Sequence, residues 1–263
     1  MSLPSLSSSS APGAFRALLL GAAFLLVASG HAAAQSALDK AKAAGTLVIA
    51  NGSNYPPMEF MQNGENVGYD IDFGNELARR MGLKAQWVIV EFKGIIGTLK
   101  SGRADAIISG MTITPQRAEQ VLFSEPYIDF GIGAAVRAKD TIATPANATG
   151  KIVGVEIGTA GASWAREKLT SAKEVKTYES LTLAMKDLDA GRIDLVVNNI
   201  PALRYNIKSY PQLKVTPVWD ERTAGIAVRQ GETALAQEIN KALTSMKSDG
   251  FMKKIDAKWF SDK

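Results

Sequence analysis

The sequence predicts an α/β fold of two similar lobes with mostly parallel sheets, joined by a two-segment hinge. Three observations predict it. Short apolar strands alternate with amphipathic helices, the pattern of parallel sheets covered by helices. One helix-turn-strand stretch occurs twice, and two extended, Gly-punctuated stretches lie where the chain would cross between the copies and return.

The elements follow in order. Residues 1–16 are Ser-rich with one cation, Arg16; residues 17–28 are apolar; and Ala32-Ala33-Ala34 ends in the small-x-small pattern of a cleavage site. So short a run reads as a secretory signal, residues 1–34, because a membrane span needs about 20 apolar residues. No Cys follows it to carry a lipid. Residues 47–50 form a short apolar strand. Residues 71–81 form a helix with Phe73, Leu77, Ala78 and Met81 on one face and Gly82 just past its end. A strand at 87–90, a short helix at 94–100 and a buried strand at 106–108 come next. Farther on, 152–155 is a strand and 163–169 lies in a helix. Leu181, Ala184, Met185 and Leu188 recur at helical spacing, with Ser180 as N-cap and Gly191 as the stop. Residues 195–197 return to a strand, and a last helix runs from 233 to 250 with Leu235, Ile239, Ala242, Leu243 and Met246 inward.

The repeat is the informative feature. Leu99, Gly102, Arg103 and Asp105 reappear at identical spacing as Leu188, Gly191, Arg192 and Asp194, and an apolar strand follows each, ending at Ser109 and Asn198. Ligands of open α/β sheets sit beyond the carboxyl ends of the strands. Residues 109–112 and 198–201 are thus where the two lobes face one ligand. Residues 127–137 carry the chain across, and 215–219 with 225–228 bring it back. Lobe 1 is then discontinuous, 35–131 with 219–263, and lobe 2 is 132–218.

Composition removes much chemistry. Cys is absent, and the single His is His31, inside the presumed signal. Ser-His-Asp and Cys-His catalysis are excluded, as are zinc, haem and iron–sulfur sites built on those residues. We therefore assign no catalytic residue, no metal and no cofactor. The 30 Lys and Arg against 26 Asp and Glu, one cation being Arg16, give an ordinary surface with no basic cluster for nucleic acid. After residue 28 no apolar run is long enough to cross a bilayer.

The residues resemble one family, the periplasmic solute-binding proteins of polar amino-acid ABC uptake systems. The resemblance spans nearly all of the chain after the signal. It is carried by Tyr55-Pro56-Pro57-Met58-Glu59-Phe60, Gly68-Tyr69-Asp70-Ile71-Asp72, Gly110-Met111-Thr112-Ile113-Thr114-Pro115-Gln116-Arg117 and Phe123-Ser124-Glu125-Pro126-Tyr127, with Gly158-Thr159, Gly225-Ile226-Ala227-Val228 and Lys258-Trp259-Phe260. It implies a periplasmic binding protein fold of type II and a monomer. The function implied is capture of a small carboxylate, a polar amino acid, between closing lobes, with delivery to a membrane ABC permease.

The site residues follow from it. Arg117 would hold the ligand carboxylate through its planar fork; read locally, it is a cation within reach of Glu119 or Glu125. Thr112 can donate its N–H and hydroxyl to the same carboxylate, with Ser109 beside it and Gly110 letting the ligand approach the backbone. Thr159, ahead of a helix, offers N–H groups from the second lobe. Read locally, each of these is a turn residue satisfying its own backbone. Tyr55 and Phe92 match the two aromatic walls of the family, with Asn54 and Glu59 as nearby polar groups. Two positions depart from the family: Gly52 and Asn199 stand where Asp is usual, and Asn199 would meet the ligand's α-substituent without a charge. The ligand is accordingly a neutral or acidic amino acid, or a carboxylate carrying hydroxyl or keto instead. The alternative function is a dehydratase or lyase on the same fold, with Glu59 or Glu156 as general acid.

Overall fold

The computed structural model describes residues 35–260, so the predicted signal, residues 1–34, lies outside the described residues. Where the sequence carries caps, the helices obey them. Ser180 Oγ accepts from the Leu183 N–H at 3.4 Å and opens the helix Leu181–Asp189. Thr159 Oγ1 accepts from the Ala162 N–H at 3.1 Å and opens Ala160–Lys168, which takes in residues 163–168 of the expected helical stretch. Helix Tyr69–Arg80 buries Phe73, Leu77 and Ala78, and Thr233–Ser248 buries the five apolar residues expected of it.

Two parallel blocks of strands lie in one sheet. Thr46–Asn51 sits between Lys84–Ile89 and Ala106–Ile107, all parallel. Ile152–Glu156 sits between Glu174–Tyr178 and Leu195–Asn199, again parallel. Between the blocks run Val121–Arg137 and Asp220–Arg229, which pair antiparallel from Val121 opposite Arg229 to Ile132 opposite Asp220. The two predicted crossings are thus one hydrogen-bonded ribbon. A strand of 17 residues rising about 3.3 Å each is long enough to serve both blocks.

Buried side chains group on either side of that ribbon. Two clusters draw on residues 37–130 and 224–255. Two others draw on residues 132–213, and Tyr55 packs against one cluster of each group.

Several elements were not expected from the sequence. Asn54–Tyr55, Glu59–Gln62 and Glu65–Val67 make a small antiparallel sheet that fixes Tyr55. Strands of two to four residues are too short to show alternation. Helices Ala37–Ala44 and Ile200–Ile207 pack on the main sheet, and Phe251–Trp259 packs on the helices Tyr69–Arg80 and Thr233–Ser248.

Candidate functional site

A cavity of about 310 Å³ opens where strands of both parallel blocks end. All eight sequence-predicted site residues line it: Tyr55, Phe92, Ser109, Gly110, Thr112, Arg117, Thr159 and Asn199. Glu91, Glu156, Glu179 and Asn198 complete its polar wall.

Arg117 is built in by its neighbours. Thr114 caps the turn, accepting from the Arg117 N–H at 3.3 Å, with Pro115 at the first helical position. Only 9 % exposed, the guanidinium donates to the Thr112 carbonyl at 2.7 Å and to the Gly158 carbonyl at 3.0 Å, and lies 5.3 Å from the Phe92 ring centroid. Burial pulls its pKa down to about 10, which leaves it charged at neutral pH. Neither Glu119 nor Glu125 reaches it, and no carboxylate among the described residues pairs with it. A buried cation without counter-charge, on the wall of a cavity, favours an anion there. Phe92 therefore serves as the floor of the Arg117 fork as well as a wall. The Thr112 hydroxyl has no partner among the described residues and is free for the same anion.

From the second block, Asn199 Nδ2 donates to the Tyr55 hydroxyl at 3.0 Å, and that hydroxyl donates to Asn198 Oδ1 at 3.2 Å. Asn198 Nδ2 in turn donates to Glu156 Oε2 at 3.4 Å. Tyr55 thus bridges from the small sheet to the ends of the second block's strands. Burial and then the Glu156 charge hold its hydroxyl neutral. Thr159 spends its hydroxyl locally, donating to the Glu156 carbonyl at 2.8 Å, while the N-terminus of its helix opens at Ala160 onto the cavity. Asn198 was not singled out as a site residue, although the repeat aligns it with Ser109.

Beneath the cavity lies a buried acidic network. Ser109 Oγ donates to Glu59 Oε1 and accepts from the Gly52 N–H at 3.1 Å. The Gly110 N–H donates to Asp70 Oδ2 at 2.6 Å, and Tyr127 donates to Asp70 Oδ1 at 2.8 Å. The Gly110 N–H is therefore committed to Asp70. What the position contributes is space: at φ 50, a Cβ there would stand 3.0 Å from Tyr55 Cε1. Burial pushes Glu59 and Asp70 above the usual carboxylate range, and the Asp70 charge adds to the rise of Glu59. Among the described residues, no group of three or more Asp, Glu, Cys and His could hold a metal ion.

Comparison with known proteins agrees with this architecture. Residues 47–262 match the family described as bacterial extracellular solute-binding proteins, family 3. The chain is 33 % identical over 228 residues to the L-cystine-binding protein TcyJ of Escherichia coli K12, covering 85 % of each chain. It is 37 % identical over 227 residues to the ABC transporter arginine-binding protein 1 of the same strain, covering 84 % of this chain and 93 % of that one. A crystal structure of a mutant ArgBP from T. maritima superposes with a TM-score of 0.80 at 36 % identity, covering 86 % of this chain and all of the other. These relatives are binding proteins and not enzymes, which sets aside the dehydratase or lyase alternative. With the family matched along nearly all of the described residues, this chain belongs to the bacterial extracellular solute-binding proteins of family 3.

Proposed function

We propose that the cavity captures a polar amino acid by its α-carboxylate and that the protein hands it to a membrane ABC permease. The observation that carries this is the buried Arg117 guanidinium, held on two backbone carbonyls with no acidic partner among the described residues. The matched relatives are named for cystine and arginine, both α-amino acids. A cavity of about 310 Å³ suits a free amino acid better than a peptide.

In this reading Arg117, Thr112 and the helix N-terminus at Thr159 hold the carboxylate, Tyr55 and Phe92 wall the side chain, and Asn199 faces the α-substituent. Residues 35–131 with 219–263, and 132–218, act as two lobes that close on the ligand, a division supported by the grouping of the buried clusters. Secretion through residues 1–34 to the periplasm, and action as a monomer, complete the proposal. A second reading, a 2-hydroxy or 2-keto acid as ligand, is favoured by the neutral amide at Asn199.

The test is thermal stabilisation by a panel including L-arginine, L-glutamine and L-cystine. A ligand present at 100 times its Kd stabilises by about 2.7 kcal/mol, a readable rise in midpoint. Arg117→Ala is expected to abolish that rise. A folded Arg117→Ala protein with unchanged affinity would remove Arg117 from the site.

A further inference from the structure

We propose that Glu156 is the specificity residue for the ligand's ammonium, taking at the end of its strand the positive charge for which Asn199 offers only an amide. The proposal rests on the amino-acid reading above and names the group that makes the ligand an amino acid rather than a hydroxy acid.

Glu156 closes the strand Ile152–Glu156 and is 8 % exposed on the cavity wall. Its carbonyl is fixed by the Thr159 hydroxyl at 2.8 Å, so the side chain starts from an anchored backbone. Of its carboxylate oxygens, Oε2 accepts one long bond from Asn198 at 3.4 Å, and Oε1 has no hydrogen-bond partner among the described residues. No Lys or Arg among the described residues pairs with it. The buried cation on the same wall, Arg117, is committed to the Thr112 and Gly158 carbonyls. The cavity therefore carries a guanidinium without an anion and a carboxylate without a cation. A zwitterion answers both at once.

The surroundings show what such a ligand would change. Glu91, Glu59 and Tyr55 face Glu156 from the other side of the cavity, and Lys93 near its mouth is paired with Glu179 at 2.8 Å. Burial first, offset in part by the Asn198 bond and reinforced by the Glu91 charge, lifts Glu156 to about 7. An adjacent ammonium favours the ionised form and draws the pKa down. Binding an amino acid below pH 7 then expels a proton, and affinity rises with pH until Glu156 is ionised in the free protein. A 2-hydroxy analogue has no α-ammonium to offer and binds without that release.

The experiment is calorimetric titration of wild type and Glu156→Gln with L-arginine, L-glutamine and L-cystine, then with the 2-hydroxy analogue of the tightest binder. Buffers of different ionisation enthalpy report proton release. The expected wild-type result is proton release on binding the amino acid and an affinity rising up to about tenfold per pH unit between about pH 5.5 and 7. Glu156→Gln should lose tenfold or more in amino-acid affinity at neutral pH, lose the proton release, and keep its affinity for the hydroxy analogue. The wild-type proton count needs no variant, so its absence near pH 6 overturns the proposal even if Glu156→Gln fails to fold. Equal losses for both members of the pair, or proton release persisting in Glu156→Gln, overturn the role of Glu156 and leave the amino-acid reading standing. Wild type that binds the hydroxy acid and no amino acid overturns both.

Discussion

A guanidinium held by two carbonyls has its position fixed before any ligand arrives. Arg117 gains this from Thr112 on one side and Gly158 on the other, and it lines the cavity. Gly110 shows the same economy of space. It sits at φ 50 against the Tyr55 ring, where a side chain is both strained and crowded. Gly110→Ala is expected to lower stability by about 1–3 kcal/mol. It should also weaken ligand binding, because Tyr55 must move and its hydrogen bonds to Asn198 and Asn199 must lengthen. Chemical denaturation together with ligand titration checks this; unchanged affinity would mean that Tyr55 does not touch the ligand.

Among the elements, two helices make a controlled comparison. Thr159 and Ser180 are both N-caps, accepting from the N–H three residues on. Thr159 and Ala160 line the cavity, whereas Ser180 does not. Thr159→Val and Ser180→Ala should each cost about 1 kcal/mol of stability in denaturant unfolding. Only Thr159→Val should weaken ligand binding, since it frays the helix end that faces the carboxylate. Equal affinities in the two variants would remove the helix N-terminus from the site. The paired strands Val121–Arg137 and Asp220–Arg229 also belong to this scale, and their ladder shifts register on either side of Gly225.

Two properties of the whole molecule follow. A ligand gripped by residues of both parallel blocks, as proposed, would favour closure by its differential affinity. Small-angle scattering should then show a smaller radius of gyration at saturating ligand than without it, and identical values would count against closure. The second property is pH dependence. Glu59 and Asp70, fully buried, hold protons more tightly folded than unfolded. Their stabilisation is complete below the unfolded carboxylate range of about 4 and is lost as pH rises through their raised folded values. Glu76, hydrogen-bonded to Arg79 and Arg80, and Asp187, bonded to Tyr178 and Arg192, are held low and act oppositely, losing their contribution only as pH falls below that range. The thermal midpoint of the ligand-free protein should therefore fall as pH is raised from about 5 to about 7.5, and Glu59→Gln should flatten that slope. An equally steep slope in Glu59→Gln would place the titration elsewhere.

The alternation of strand and helix, the duplicated Leu-x-x-Gly-Arg-x-Asp stretch and the chemistry missing with Cys and His were all legible in the sequence. Each is local, written in periodicity, spacing or composition. That the eight named residues line one cavity was legible mainly through the resemblance to the family, with the strand ends pointing by themselves only to residues 109–112 and 198–201. Other features depend on contacts between residues far apart in the chain. Tyr55 meets Asn198 and Asn199 from 143 and 144 residues away. The Gly110 N–H turns to Asp70, which no spacing rule links to it. The small sheet around Glu59–Gln62 is set by pairing rather than by pattern. That Arg117 and Glu156 stand buried and unpaired on the cavity wall was decided only by tertiary structure, because burial and the absence of a partner are properties of packing and not of any one segment.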